Sequence, residues 1–163
     1  EVLEQNPHLV VVKSISKAYG VPGLRLGLIA SANTELISRT RKDVSIWNIN
    51  SFAEFYMQIY SKYEQKYDVA CQKIASERDR FFEALKRIDF LRVIPSQANY
   101  FLCEVISKFT SHELSDLLLR QHNILIKDCG TKSAFHGRNY IRIAVRDRAD
   151  NDALIQILNE IDK

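Results

Sequence analysis

The stretch VVVKSISKAYGVPGLRLG, residues 10–27, holds three of the five glycines of the chain and surrounds Lys17 and Arg25 with serines and glycines. Its β-branched start predicts a short buried strand of the parallel type over residues 9–13. The glycines allow tight turns or a close approach of the backbone to a ligand. A surface loop needs none of these features, so we expect this stretch to carry chemistry.

The composition is that of a globular protein and argues against several function classes. Hydrophobic residues make up 46% of the 163 residues and charged residues 26%, far from a disordered composition. The net charge of +3 is small and spread along the chain, which does not favour nucleic acid. No apolar run approaches the ~20 residues of a membrane helix. Three separated cysteines and four histidines without ligand spacing predict neither disulfides nor a metal site, so we expect a cytoplasmic protein.

The pattern of predicted elements indicates an α/β chain in two parts. Residues 1–60 contain the strands 9–13 and 25–31, a helix capped by Asn33 and a second, well-buried helix. A long amphipathic helix over residues 62–88 links the parts. In residues 61–163 we expect a small α+β domain, a mostly antiparallel sheet with helices on one face. Its strands are predicted over residues 90–96, 99–105, 123–129 and 140–146. A helix over residues 111–121 follows a capping-box pattern at Thr110, and a final helix is capped by Asp147.

The residues around Lys17 suit a phosphorylated aldehyde. A lysine at the end of a buried strand is partly desolvated, which favours the neutral amine that attacks aldehydes. Ser14 and Ser16 supply hydroxyl groups, and Arg25 supplies a planar guanidinium suited to phosphate. A lone lysine and arginine at this spacing are more often solvated side chains. The complete pattern instead matches the needs of pyridoxal phosphate.

The pattern S-x-S-K-x-x-G-x-x-G-x-R-x-G resembles the cofactor-lysine motif of fold-type I pyridoxal-phosphate enzymes. The longer stretch NPHLVVVKSISKAYGVPGLRLGLIAS is similar to the class I/II aminotransferases, specifically the histidinol-phosphate aminotransferase group with threonine-phosphate decarboxylase. The similarity continues through WNINSFAE, PSQANYFLCEV, NILIKDCG and YIRIAVRDRADNDALI. The resemblance implies that Lys17 forms the internal aldimine and that Ser14 and Arg25 hold the cofactor phosphate, with Ser16 as a further candidate.

The resemblance also implies substrate-binding residues outside the motif. Arg142 of YIRIAVR stands where the family binds the substrate α-carboxylate. Asn99 of SQANYF either supports the site or bonds a turn. Arg146 lies four residues after Arg142, which predicts the same strand face; it either binds a substrate phosphate or phosphonate or is a solvated arginine. Asn48 and Asn50 either reach the site from a loop or, for Asn50, cap a helix.

A complete enzyme of this family is longer than this chain, and the groups that hold the cofactor ring precede the lysine strand. We therefore expect residues 1–60 to be the last piece of the large domain and residues 61–163 the small domain, with no activity alone. The parent is expected to be a homodimeric aminotransferase that uses an amino acid or phosphorylated amine and a 2-oxo acid. A pyridoxal-phosphate decarboxylase, a phosphate-binding module and a non-catalytic dimerisation remnant are the alternatives.

Overall fold

The computed structural model describes all residues, Glu1–Lys163. They form two compact units, Glu1–Tyr67 and Asp68–Lys163. Seven helices and six strands follow one another along the chain: α1 Val2–Gln5, β1 Val10–Ser14, α2 Ile15–Ala18, β2 Gly27–Ser31, α3 Thr34–Asp43, α4 Ser51–Ile59, α5 Glu64–Leu85, β3 Leu91–Val93, β4 Tyr100–Val105, α6 Ser111–His122, β5 Lys127–Asp128, β6 Tyr140–Ala144 and α7 Arg148–Asp162. None of the helices has the length and hydrophobicity needed to cross a membrane.

The first unit is built around a ribbon of two strands. β1 and β2 pair antiparallel, with Val10 opposite Ser31 and Ser14 opposite Gly27. The prediction of a buried strand of the parallel type is wrong in both respects, because β1 pairs antiparallel and all of its residues are exposed in this chain. The prediction of a well-buried helix after it is also wrong, because only Ala53 of α4 is buried. A ribbon of two strands has two faces, and the large apolar side chains Val10, Val11, Val12, Leu28 and Ile29 of this ribbon are exposed.

The connection between β1 and β2 is held by Ser16, which is 2% exposed. The Leu26 N–H donates to Ser16 Oγ at 2.7 Å, and Oγ donates to the Leu26 carbonyl at 3.2 Å. The Ser16 N–H donates to the same carbonyl at 3.1 Å. Two glycines complete the connection: Gly20 has φ +68°, and a Cβ on Gly27 would lie 3.2 Å from the Lys13 carbonyl oxygen. Backbone pairing and one hydroxyl therefore close the loop that carries Lys17 and Arg25.

The second unit is a four-stranded antiparallel sheet in the order β3-β4-β6-β5. Along β4 and β6 the side chains alternate between the two faces. Phe101, Cys103, Ile141 and Ile143 lie in the core, whereas Arg142 is exposed on the opposite face. The core side chains from the helices are Phe81, Leu85, Leu114, Leu118, Leu154 and Leu158. This arrangement confirms the predicted α/β class and the small antiparallel sheet with helices on one face.

Three helices of the chain begin at the caps that the sequence predicts. Asn33 Oδ1 accepts from the Leu36 N–H at 2.9 Å, and Asp147 Oδ1 accepts from the Asp150 N–H at 2.9 Å. Thr110 forms a full capping box with Glu113 at the start of α6. Each cap satisfies a backbone donor that has no partner inside its own helix.

The contrast between Ser16 and Ser14 gives a prediction about the loop. Ser16→Ala leaves the Leu26 N–H without its acceptor in a buried position, which costs about 1–3 kcal/mol. We expect faster amide hydrogen exchange at Leu26 and lower stability of the complete protein. Ser14→Ala is the matched control, because Ser14 is exposed and its hydroxyl caps no helix. Equal exchange rates at Leu26 in the two variants would contradict the role assigned to Ser16.

Candidate active site

Lys17 lies in the short helix α2, directly after β1, and its side chain is exposed. The amine forms no ion pair. The partial desolvation expected for it is absent, because the predicted buried strand is an exposed one in this chain. An accessible primary amine at this position is able to reach a carbonyl compound.

Arg25 has an unusual backbone conformation. Its φ of 53° and ψ of 39° place it in the left-handed region, which costs a residue with a side chain about 1–3 kcal/mol. The guanidinium is exposed, and its one hydrogen bond is a long one, from Nη1 to the Pro22 carbonyl at 3.4 Å. The backbone of Arg25 is therefore strained and its side chain is available to a ligand.

The loop carries positive charge without compensating acids. No Asp or Glu occurs between Glu4 and Glu35, and neither Lys17 nor Arg25 forms an ion pair. Lys13 is partly engaged, since its ammonium lies 5.4 Å from the centre of the Tyr19 ring. An uncompensated group of cations attracts an anion.

The donor set fits pyridoxal phosphate. An accessible amine suits the aldehyde, and the free Ser14 hydroxyl and the Arg25 guanidinium suit the phosphate. Ser16 does not fit the phosphate role, because both its donor and its acceptor are used by Leu26.

A group of tyrosines anchors the loop on the side of Lys17. The Tyr19 ring packs against Tyr60, with centroids 5.2 Å apart, and against Tyr67 at 4.5 Å. The Tyr67 hydroxyl donates to the Ala18 carbonyl at 2.9 Å. Residues 18 and 19, immediately after Lys17, are thus held by residues that lie more than forty positions later in the chain.

The two candidate asparagines before α4 differ in their contacts. Asn50 Oδ1 accepts from the Ala53 N–H at 2.9 Å and caps α4, and its Nδ2 donates to the Leu24 carbonyl at 2.9 Å. Asn48 is exposed, and its side chain makes no hydrogen bond in the structure. Helix capping, one of the two predicted roles of Asn50, is confirmed.

Arg142 belongs to the second unit and lies on the sheet face opposite the core. Its guanidinium carbon is 5.1 Å from the centre of the Tyr100 ring, close enough for a cation–π contact. Lys127 of β5 is its direct partner in the antiparallel register, so the two cations project from the same face. Neither of them forms an ion pair. Both line a cleft of about 590 Å³ together with His112, Asp116 and Leu125.

Lys127 is a candidate that the sequence prediction missed. The alternation in NILIKDC places Lys127 on the face opposite Ile126, which is buried, and this signal is visible in the sequence. Its position beside Arg142 depends on the pairing of β5 with β6. Sequence alone does not specify which strands of a sheet are neighbours.

Arg146 and Asn99 make contacts outside the cleft that holds Arg142. β6 ends at Ala144, so the predicted shared strand face of Arg142 and Arg146 is wrong. Arg146 instead pairs with Asp150 of α7, and this hydrogen bond raises the pKa of the guanidinium above its usual value. The Asn99 carbonyl accepts from the Val145 N–H at 2.9 Å, whereas its exposed side chain makes no hydrogen bond.

The buried cysteine of the sheet plays no part in either group of residues. Cys103 is fully buried, and desolvation raises the pKa of its thiol to about 12. The thiolate is therefore scarce at neutral pH, as expected for a core residue rather than a nucleophile.

Comparison with known proteins gives matches over nearly the whole chain. CMP-5'-(3-aminopropyl)phosphonate synthase of Streptomyces rubellomurinus is 34% identical over 98% of this chain and 25% of its own length. Threonine-phosphate decarboxylase of Salmonella typhimurium is 30% identical over 98% of this chain and 43% of its own length. The solved histidinol-phosphate aminotransferase of Clostridium acetobutylicum superposes with a TM-score of 0.86 at 27% identity, over 98% of this chain and 47% of its own.

The chain spans less than half the length of these relatives. Its match to a family model is nevertheless continuous across both units, and the description of that model is aminotransferase class I and II, over residues 2–158. The chain therefore belongs to the class I and II aminotransferase family.

Proposed function

We propose that the complete protein carrying this chain is a pyridoxal-phosphate enzyme that decarboxylates an amino acid bearing a phosphate. The observation that carries the proposal is the loop of residues 14–25, on which an accessible amine, a free hydroxyl and a guanidinium lie without a compensating acid. The 30% identity to threonine-phosphate decarboxylase supports the choice of reaction.

Three residues of the loop hold the cofactor in this proposal. The Lys17 amine would hold the cofactor through its aldehyde, and the Ser14 hydroxyl and the Arg25 guanidinium would bind its phosphate. The bound cofactor supplies an electron sink for the bond that breaks at the substrate Cα. The Lys17 amine would move a proton at that carbon. Ser16 keeps the loop closed and binds no phosphate.

Two residues of the sheet bind the substrate. Arg142 holds the carboxylate, and the flat Tyr100 ring restricts the motion of its guanidinium. We assign the substrate phosphate to Lys127 rather than to Arg146, because Lys127 is free of ion pairs whereas Arg146 is held by Asp150. The backbone carbonyl of Asn99, which accepts from the Val145 N–H, supports the strand that carries Tyr100.

Transamination is the second candidate, favoured by the family description and by the histidinol-phosphate aminotransferase structure. The same residues would serve both reactions, because the bound cofactor would supply an electron sink for whichever bond breaks at the substrate Cα. The products distinguish them. With phosphothreonine or phosphoserine and no oxo acid, decarboxylation releases CO2 and leaves an amine. Transamination needs a 2-oxo acid as partner and forms a new one.

We propose that a further part of the complete protein covers the apolar surface of the first unit. Ile46 and Trp47 are each 90% exposed, and Phe52 is 77% exposed. Burial of one large apolar side chain stabilises a protein by about 1.5–3 kcal/mol, so covering these three would stabilise the complete protein. We propose that residues 1–60 end the large domain, that residues 61–163 form the small domain, and that the complete protein is a cytoplasmic homodimer. A non-catalytic remnant is the weaker alternative, because it has no reason to retain the intact loop.

Lys17→Ala tests the cofactor assignment in the complete protein. Borohydride treatment after incubation with pyridoxal phosphate should yield a covalent adduct in the parent protein and none in this variant, since the reacting amine is gone. Lys13→Ala is the matched control: this lysine is also exposed and lies four residues earlier. Mass spectrometry locates the adduct. An adduct that persists in Lys17→Ala would overturn the assignment.

Arg142→Ala and Lys127→Ala test the substrate assignment. Loss of a hydrogen bond to a charged group costs about 1.5–3 kcal/mol, so each variant should raise the KM for phosphoserine about 10- to 150-fold. Lys127→Ala should leave the KM for unphosphorylated serine unchanged, whereas Arg142→Ala should raise both values. Arg146→Ala is the control and should change neither by more than a few-fold. If Lys127→Ala raised the KM for phosphoserine and for serine equally, Lys127 would not be the residue that binds the substrate phosphate.

A further inference from the structure

The side chain of Asn50 uses both ends of its amide. The oxygen accepts from the Ala53 N–H and caps α4, and the nitrogen donates to the Leu24 carbonyl, each at 2.9 Å. A helix cap requires only an acceptor oxygen, which serine, threonine or aspartate supplies equally well. The donor end is therefore not explained by capping, and it reaches a residue 26 positions earlier in the chain.

The carbonyl that Asn50 holds belongs to the peptide unit between Leu24 and Arg25. Rotation of this unit changes the φ of Arg25, which is 53° in the structure. The left-handed region is unfavourable for a residue with a side chain, so surrounding contacts must maintain it. A hydrogen bond to the Leu24 carbonyl opposes the rotation that would release Arg25 from this conformation.

The backbone on the other side of Arg25 is also fixed. The Leu26 N–H donates to the buried Ser16 hydroxyl at 2.7 Å. The backbone is thus held both before and after Arg25, while the guanidinium itself has only the weak contact with Pro22. A fixed backbone under an accessible side chain is what a ligand-binding arginine needs, because less freedom is lost on binding.

We propose that Asn50 is a positioning residue that maintains the left-handed conformation of Arg25 and so directs its guanidinium at the cofactor phosphate. The inference rests on the proposed function, in which Arg25 binds that phosphate. Asn50 acts on the phosphate only through Arg25. Its loss therefore weakens the part of cofactor binding that depends on phosphate and leaves the reaction of Lys17 with the aldehyde intact.

The test compares pyridoxal phosphate with pyridoxal, which has the same aldehyde and no phosphate. The complete protein, freed of cofactor, is titrated with each compound, and absorbance gives the two dissociation constants. Asn50→Ser retains a cap for α4 and removes the amide nitrogen that donates to the Leu24 carbonyl. It should reduce the preference for pyridoxal phosphate about three- to tenfold, with the affinity for pyridoxal unchanged. Asn50→Thr, a second variant that retains the cap, should do the same.

Asn33→Ser is the matched control. Asn33 caps α3 through its oxygen, which accepts from the Leu36 N–H at 2.9 Å, and its amide nitrogen makes no hydrogen bond. This variant tests the loss of an asparagine cap without any link to Arg25. It should leave the preference for pyridoxal phosphate at the value of the parent protein, and a loss equal to that of Asn50→Ser would overturn the inference.

Arg25→Ala separates this inference from the proposed function. If Arg25→Ala left the preference for pyridoxal phosphate over pyridoxal unchanged, Arg25 would not bind the phosphate. The role of Arg25 in the proposed function would then be wrong. A preference lowered in Arg25→Ala and unchanged in Asn50→Ser would overturn the inference alone. In the double variant, Asn50→Ser should have no further effect, because residues that act as one unit are not additive. A further loss there would show that Asn50 acts independently of Arg25, which also overturns the inference.

Discussion

The hydroxyl of Ser16 closes the loop on which the candidate cofactor site depends. From a buried position it bonds to both the N–H and the carbonyl of Leu26. Lys17 and Arg25 therefore lie on one loop that is closed by the contact between Ser16 and Leu26. Asn50 holds the Arg25 side of this turn through Leu24, and Tyr67 holds the Lys17 side through Ala18. Such contacts fix the backbone before a ligand arrives, which reduces the entropy lost on binding.

The two units differ in how much of their apolar surface is buried. In the second unit, α5, α6 and α7 cover one face of the sheet and leave Arg142 and Lys127 on the other. In the first unit, only Leu26 and Ala53 among the hydrophobic residues are buried. Exposed apolar surface is unfavourable in water, and this cost falls mainly on the first unit.

The charges of the two units are suited to different anions in the proposed reaction. Lys17 and Arg25 lie in a stretch without acids, as the cofactor phosphate requires, and Arg142 and Lys127 form a neighbouring pair for the anionic groups of the substrate. Neither group of residues decides between decarboxylation and transamination. In the proposed reaction, that choice would depend on the angle at which Arg142 holds the substrate carboxylate.

The sequence by itself determined the family, the pattern of serines and glycines around Lys17 and Arg25, the helix caps at Asn33 and Asp147, and the strands of the second unit. These features are local, because a cap or a strand pattern depends on residues only a few positions apart. The tertiary structure decided that Ser16 is used by Leu26 rather than by a phosphate and that β1 is exposed. It also placed Lys127 beside Arg142 and paired Arg146 with Asp150. Strand pairing, burial and hydrogen-bond partners join residues that are distant in the chain, and no local pattern specifies which of the available partners a residue meets.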